Sequence, residues 1–299
     1  MIFLEMIFSE QLGKYILQVL VFLFVLPLYA KSTSNKSNLN VSEACPALPE
    51  KALGQGFIYK LHLQKTTIEN RYANIWYDSE KKISETKTTV FYWHGTNGNT
   101  EEINVAMGQK GVQELVDRGY IVVSPDHIRN ADGSGTLDYS WYIANGSRLN
   151  HDVIFGDLIV QCLNAKFKTN FKVITTGFSA GAMQSALWSF QNKDIIGTIL
   201  YSGGIFHLPQ FVPRQNFWSV ITHGGITDVR GDFNFMNTGI HIHNKVLKLR
   251  SKSALCDFTP QGHGIHKEIT NIFTDIIFDQ ENILLPKQCS KDFTSSKIE

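Results

Sequence analysis

Val173-Ile174-Thr175-Thr176-Gly177-Phe178-Ser179-Ala180-Gly181-Ala182-Met183 runs from a β-rich segment through a glycine to a serine. Helix-forming residues then continue through Leu187. This is Gly-x-Ser-x-Gly between a strand and a helix. So tight a turn excludes bulky neighbours. Gly177 and Gly181 are predicted to let the backbone fold back, while Ser179 takes a strained conformation that exposes its hydroxyl. Ala180 opens the helix, so its N–H and the positive end of the helix dipole would face an anion forming beside the serine. The pattern alone is weak. With Gly and Ser each at about 7% of residues, it recurs by chance in roughly one chain in ten of this length. A plain glycine-rich turn explains it equally, so the weight rests on its surroundings.

Upstream, Lys14 precedes an apolar run from Tyr15 to Ala30, broken only by Gln18 and Pro27. Leu28-Tyr29-Ala30 places a small residue where a signal peptidase cuts, and a polar stretch follows. Residues 1–30 therefore read as a secretory signal peptide, although Glu5 and Glu10 are unusual in one and Met6 is an alternative start. A permanent span needs about 20 apolar residues, and Pro27 shortens this run, so no membrane span is expected after cleavage. The formal charge of +1 argues against nucleic acid or a strongly acidic partner. Cys45, Cys162, Cys256 and Cys289 form an even set in an exported chain. Two disulfides are expected, with three connectivities open. No C-x-x-C pair suggests zinc. Asn35, Asn40 and Asn145 open glycosylation sequons, which matter only in a eukaryote.

After a polar linker (residues 31–50), one domain is expected over residues 51–290, with a tail at 291–299. Forty-three per cent apolar residues suffice for a substantial core. Residues 57–63 and 71–77 alternate like an antiparallel hairpin. The continuous β-branched and aromatic run at 89–93 reads as a strand buried on both faces, 120–124 as a second buried strand, and 171–176, 195–201 and 217–222 as further strands, with a last strand at 251–256. Helical patterns at 103–117, 152–165, 180–187 and 265–278 separate them. The fold class is α/β, a mostly parallel sheet flanked by helices. The connection from Gly203 to Asn216 is too short for a large lid domain. Ligands in such sheets gather at the carboxyl ends of the strands, where every motif below falls. The long loop 125–150 holds Trp141 and Tyr142, a candidate wall of a binding cleft.

A serine hydroxyl at its ordinary pKa is a poor nucleophile. Ser179 needs a base within hydrogen-bond reach, and the base needs an orienting acid. After the strand at 217–222 comes His223-Gly224-Gly225-Ile226-Thr227-Asp228, so Asp228 is the candidate acid and Asp232 its competitor. Gln261-Gly262-His263-Gly264 lies between the last strand and the last helix, so His263 is the candidate base, with His266 as fallback. His241-Ile242-His243 would put two imidazoles on one face of a strand, but no third metal ligand is evident, and no metal is expected. His94 and His223 are read as shaping their turns. The second oxyanion donor should come from the loop after an early strand. In Trp93-His94-Gly95-Thr96-Asn97-Gly98, Thr96 N–H is paired with Ala180 N–H as the expected hole, with Gly95 as a further contributor.

Taken in order, these motifs resemble a family. They are Tyr92-Trp93-His94-Gly95-Thr96, Asp152-Val153 with Phe155, Gly177 to Ala182, His223-Gly224-Gly225 with Asp228, and Cys256 followed by Gly262-His263. The set resembles secreted α/β-hydrolases of the polyhydroxybutyrate depolymerase / feruloyl esterase group, over roughly residues 54–289. The resemblance implies the α/β-hydrolase fold and a serine esterase that uses Ser179, Asp228 and His263 with no cofactor. Two departures bear on substrate identity. The family commonly shows Gly-Gly-His where this chain has Gln261-Gly262-His263, and the segment from 256 to 263 lacks a histidine often found there. Members cleave feruloyl, acetyl, polyhydroxyalkanoate and other acyl esters, so the resemblance does not choose among them. The expected partner is an ester, with an open cleft suited to polymeric substrates. A peptidase of the same fold and a non-catalytic binding protein are the rival readings. Matched ester and amide substrates separate the first, and serine-directed phosphonate labelling separates the second.

Overall fold

In a computed structural model of the protein, the run around Val173 becomes β5 (Lys172–Phe178), a central strand of an eight-stranded sheet. The structure describes residues 41–62, 68–81, 83–127, 151–205, 216–279 and 284–290. The expected leader and tail, the asparagines of the three sequons, and Trp141 and Tyr142 lie outside the described residues. Residues 41–299 belong to one unit.

The sheet opens with a long hairpin, β1 (Lys51–His62) and β2 (Ile68–Asp78), paired antiparallel. β2 also runs antiparallel to β4 (Ile121–Pro125). From there every pairing is parallel, through β3 (Thr88–Trp93), β5, β6 (Ile195–Tyr201), β7 (Trp218–His223) and β10 (Lys252–Asp257). The order is β1-β2-β4-β3-β5-β6-β7-β10. A short hairpin, β8 (Val229–Arg230) and β9 (Phe233–Asn234), stands apart. The chain passes from β3 outward to β4 and then returns to the other side of β3 as β5. That reversal opens a crevice at the carboxyl ends of β3 and β5, where ligands of open α/β sheets bind.

Side chains alternate across each strand. Val90 and Tyr92 join a core with Val112, Leu115 and Val116 of helix α1 (Gly108–Asp117) and Phe273, Ile276 and Ile277 of α5 (Phe273–Phe278). Phe91 and Trp93 meet Trp188 of α3 (Ala180–Gln191) edge to face, at ring-centroid distances of 4.9 and 5.6 Å. Gly156 in α2 (His151–Phe167) lies against the Trp188 indole, leaving no room for a methyl group. Arg71 on β2 is fully buried over Phe155. Its guanidinium donates to Asp152 at 2.6 Å and Glu69 at 3.0 Å, which keeps the buried charge paired. This gives Asp152 and Phe155 a structural role.

Two expected helices are each interrupted. The stretch 103–117 breaks at Met107–Gly108, where Gly108 has φ +70°. The stretch 265–278 divides into a single turn, Lys267–Thr270, and α5. Helix α4 (Phe235–Lys248), which packs on β7 and β10, was not legible from sequence. It also contains His241-Ile242-His243, which is therefore helical rather than extended. Residues two apart project from different sides of a helix, and His243 Nδ1 is engaged 2.9 Å from Ser253 Oγ. The strand-face pair that a metal on these two residues would have needed does not form.

Both disulfides are present, as Cys45–Cys162 and Cys256–Cys289. The first ties residues before β1 to α2. The second ties the end of β10 to the segment after α5. Among the described residues, no helix is long and apolar enough to cross a membrane.

Candidate active site

At the end of β5 the backbone turns within a single residue. Ser179 has φ +53° and ψ −118°, a strained conformation for a residue with a side chain. Its N–H donates to Tyr201 O at 2.9 Å, and its carbonyl accepts from Met183 N at 3.0 Å, so the strain is held from both sides. The flanking glycines are there for space. A methyl group on Gly181 would lie 1.8 Å from Trp93 O, and one on Gly177 would lie 2.5 Å from the Gly181 carbonyl carbon. Gly181→Ala is expected to cost more than about 3 kcal/mol in denaturant unfolding despite alanine's better helix propensity. The control is Gly111→Ala, where the nearest atom is 3.6 Å away and propensity alone predicts a gain of up to about 1 kcal/mol. Equal stabilities for the two variants would contradict this account of the elbow.

Three loops converge on Ser179. His263 Nε2 lies 3.0 Å from Ser179 Oγ, and His263 Nδ1 lies 2.7 Å from Asp228 Oδ1. Asp228 has no solvent exposure, and its Oδ2 accepts Gly224 N–H at 2.9 Å. Burial alone would raise its pKa. The hydrogen bonds from His263, Gly224 and Ser202, with the positive field of His263, together hold it below the usual carboxylate value. The carboxylate is thus ionised at neutral pH. Its contribution to stability is present above the unfolded value of about 3.9 and is lost only as pH falls through the lower folded value.

The acid and base loops touch through glycine. Gly262 N–H donates to Gly224 O at 3.1 Å, and a methyl group on Gly224 would fall 1.8 Å from Gly262 O. The imidazole of His263 has aromatic neighbours in Phe235, stacked at 4.7 Å, and Phe178, tilted at 4.9 Å. Ser202, with φ +43°, carries an Oγ 3.0 Å from Gly264 O that also accepts Gly264 N–H, fixing the residue after His263. Neither the rings nor Ser202 was read from sequence. Phe235 stands at the start of the helix that sequence missed, and Ser202 has no motif around it.

The alternatives separate cleanly. Asp232 sits exposed in the turn between β8 and β9, while Asp228 meets the imidazole. His266 is buried against Phe258, with Nδ1 2.7 Å from Thr222 Oγ1, and burial pushes its pKa down. It lies beside the sheet and not at the serine. His223 accepts Gly225 N–H at Nδ1, and burial likewise lowers its pKa against the pull of Asp257 and Asp228, so it shapes the turn.

Ala180 is the first residue of α3, next to Ser179. Thr96 is exposed in the tight Gly95–Gly98 turn, where Gly98 N–H donates to Gly95 O at 2.9 Å. Gly95 is not a further donor to this site, because its N–H is committed to Glu102 Oε1 at 2.8 Å. Glu102 also accepts the Tyr92 hydroxyl at 2.7 Å. His94 does more than shape its turn. Its Nδ1 lies 2.8 Å from Gly95 O, and its Nε2 lies 3.1 Å from His127 Nδ1.

No protein-family model matches the chain, and no curated protein matches it. Its fold is similar to those of several solved structures. The native structure of pOPH aligns with a TM-score of 0.59 at 14% identity, covering 84% of this chain and 99% of that one. Native sOPH aligns with a TM-score of 0.57 at 15% identity, over 83% and 96% of the two chains. A CE1 ferulic acid esterase from Anaeromyces mucronatus, solved in complex with ferulic acid, aligns with a TM-score of 0.51 at 14% identity, over 79% and 93%. At these identities the likeness is one of fold. The chain has the α/β-hydrolase fold, with no large lid among the described residues.

Proposed function

We propose that this protein is an exported serine hydrolase that cleaves carboxylic esters, with Ser179 as nucleophile, His263 as general base and acid, and Asp228 as the orienting carboxylate. The observation that carries the reading is the unbroken chain from Ser179 Oγ through His263 to buried Asp228, at 3.0 and 2.7 Å, starting from a strained serine at a helix N-terminus. Nothing in packing alone requires a serine with positive φ to face an imidazole so held. The ester specificity is supported further by the feruloyl-esterase likeness of the fold and by the motif order. Export is supported by the leader-like first thirty residues and the two disulfides.

In the proposed reaction, His263 Nε2 takes the Ser179 proton as Oγ attacks the ester carbonyl carbon. The carbonyl electron pair moves onto oxygen, where Ala180 N–H and Thr96 N–H hold it, each donor worth about 3 kcal/mol. The imidazolium is stabilised by Asp228. Collapse of the tetrahedral intermediate expels the alcohol, which takes its proton from His263, and leaves acyl-Ser179. Water, deprotonated by His263, attacks the acyl carbon. The second collapse releases the acid and returns the proton to Ser179.

The deciding experiment is a panel of acetyl, butyryl, longer-chain and feruloyl esters, each with its matched amide. Turnover of at least one ester class at a kcat/KM at least about 100-fold above its amide is the expected result. Amide turnover as fast as ester turnover would turn the reading to a peptidase. On the acid loop Ile226 is 72% exposed and Val229 37%, an apolar margin suited to a polymeric or surface-bound ester.

A further inference from the structure

A second cluster of chemically capable side chains lies one strand over from Ser179. β3 and β4 are parallel neighbours, with Phe91 opposite Val123. Carrying that register three residues on, to one residue past the end of each strand, puts His94 opposite Asp126, with His127 next in line. Their side chains meet. His94 Nε2 is 3.1 Å from His127 Nδ1 and 3.3 Å from Asp126 Oδ1, and His127 Nδ1 is 3.1 Å from Asp126 Oδ1. All three residues are buried.

From this triangle we infer that His94, Asp126 and His127 form a binding site for a divalent transition-metal cation of the zinc class, which joins the oxyanion-side loop after β3 to the end of β4. Three observations support it. The first is orientation. His94 Nδ1 faces the carbonyl oxygen of Gly95 at 2.8 Å, which leaves Nε2 as the ring atom turned into the triangle. Asp126 Oδ1 is fixed there by the His127 backbone N–H, which it accepts at 3.0 Å. All three ligand atoms thus converge on one point.

The second is the size of the triangle. Bonds of about 2.1 Å from one ion separate ligand atoms by about 3.0 Å at right angles and about 3.4 Å at tetrahedral angles. The observed edges fall between these values. Two imidazoles and one carboxylate are also a ligand set that zinc and its neighbours accept with an open position for water. The orienting bond from His94 Nδ1–H to a backbone carbonyl is the second-shell contact that metal-bound histidines usually make.

The third is access. Asp126 and His127 line a cavity of about 550 Å³ with Asn70, Arg71, Thr100 and Glu101. Arg71 in that wall is already paired with Asp152 and Glu69, so its charge does not oppose a cation. The site stands outside the Ser179–His263–Asp228 chain, and the inference does not rest on the ester-cleaving reading. It replaces the expectation from sequence that no metal is held.

The test uses untagged protein stripped with a chelator and titrated with Co2+, whose visible absorption reports bound imidazole and carboxylate ligands directly. The expected result is one Co2+ per chain, displaced by one equivalent of Zn2+. His127→Ala and Asp126→Ala should bind at least about 100-fold more weakly, and His241→Ala should bind as wild type. The wild-type titration decides the matter even if a variant fails to fold. No saturable Co2+ band, or equal binding by wild type and the His127→Ala protein, would overturn the site. So would NMR showing His94 doubly protonated at neutral pH in the presence of Zn2+, since a proton would then occupy the triangle.

Discussion

Ser179→Ala is expected to lower kcat on the best ester by about 10⁵–10⁶ while leaving KM within a few-fold. The substitution removes one oxygen atom from a site whose remaining geometry does not depend on it. The Ser179 backbone is held by Tyr201 O and Met183 N, and alanine suits that position no worse than serine. Substrate should therefore still bind. The residual rate, about 10³–10⁴ above the uncatalysed reaction, would come from the Ala180 and Thr96 N–H groups and from positioning. A fall confined to KM would mean that Ser179 binds substrate without attacking it. The measurement is steady-state kinetics on the purified variant, with an unfolding curve to show that the fold is intact.

The second large effect belongs to Asp228. Asp228→Asn is expected to lower kcat by about 10⁴. The asparagine oxygen can accept from Gly224 N–H, as Oδ2 now does at 2.9 Å, or from His263 Nδ1–H, but its amide group must face the other. Turned toward His263, the amide N–H favours the imidazole tautomer with its lone pair on Nδ1 and its hydrogen on Nε2. That tautomer cannot take the Ser179 proton. The lost negative charge also removes the partner of the imidazolium. Because serine, histidine and aspartate act as a unit, the Ser179→Ala/Asp228→Asn double variant should be no slower than Ser179→Ala alone. Multiplying effects in the double variant would indicate that Asp228 acts on stability and not through His263.

Much of this architecture was legible in the chain because it rests on local chemistry. Buried parallel strands demand continuous β-branched and aromatic runs, so β3 to β7 stood out. The serine elbow demands small residues at fixed offsets, so Gly177 and Gly181 marked it. The structure brings Asp228 and His263 to Ser179, and both sit in glycine-bearing loops because the two loops touch through Gly224 and Gly262.

What sequence missed depends on contacts between distant elements. α4 carries Thr238, Gly239 and two histidines, a poor helical signature, and it is stabilised by packing on β7 and β10. Glu102 removes Gly95 N–H from the oxyanion side by reaching back seven residues. The disulfide pairing follows from where α2 and β10 lie. His94 and the Asp126-His127 pair are separated by more than thirty residues, and only the β3–β4 register makes them neighbours. In each case the missing information was tertiary.

The most direct test of the central claim is covalent. Intact-mass analysis after treatment with an excess of a serine-directed alkyl phosphonate, followed by peptide mapping, asks whether the activated nucleophile is Ser179. The account predicts one phosphonyl group per chain, on Ser179, formed in step with loss of ester turnover and absent in His263→Ala. An unmodified protein that still turns over esters, or a label on any other residue, would contradict it.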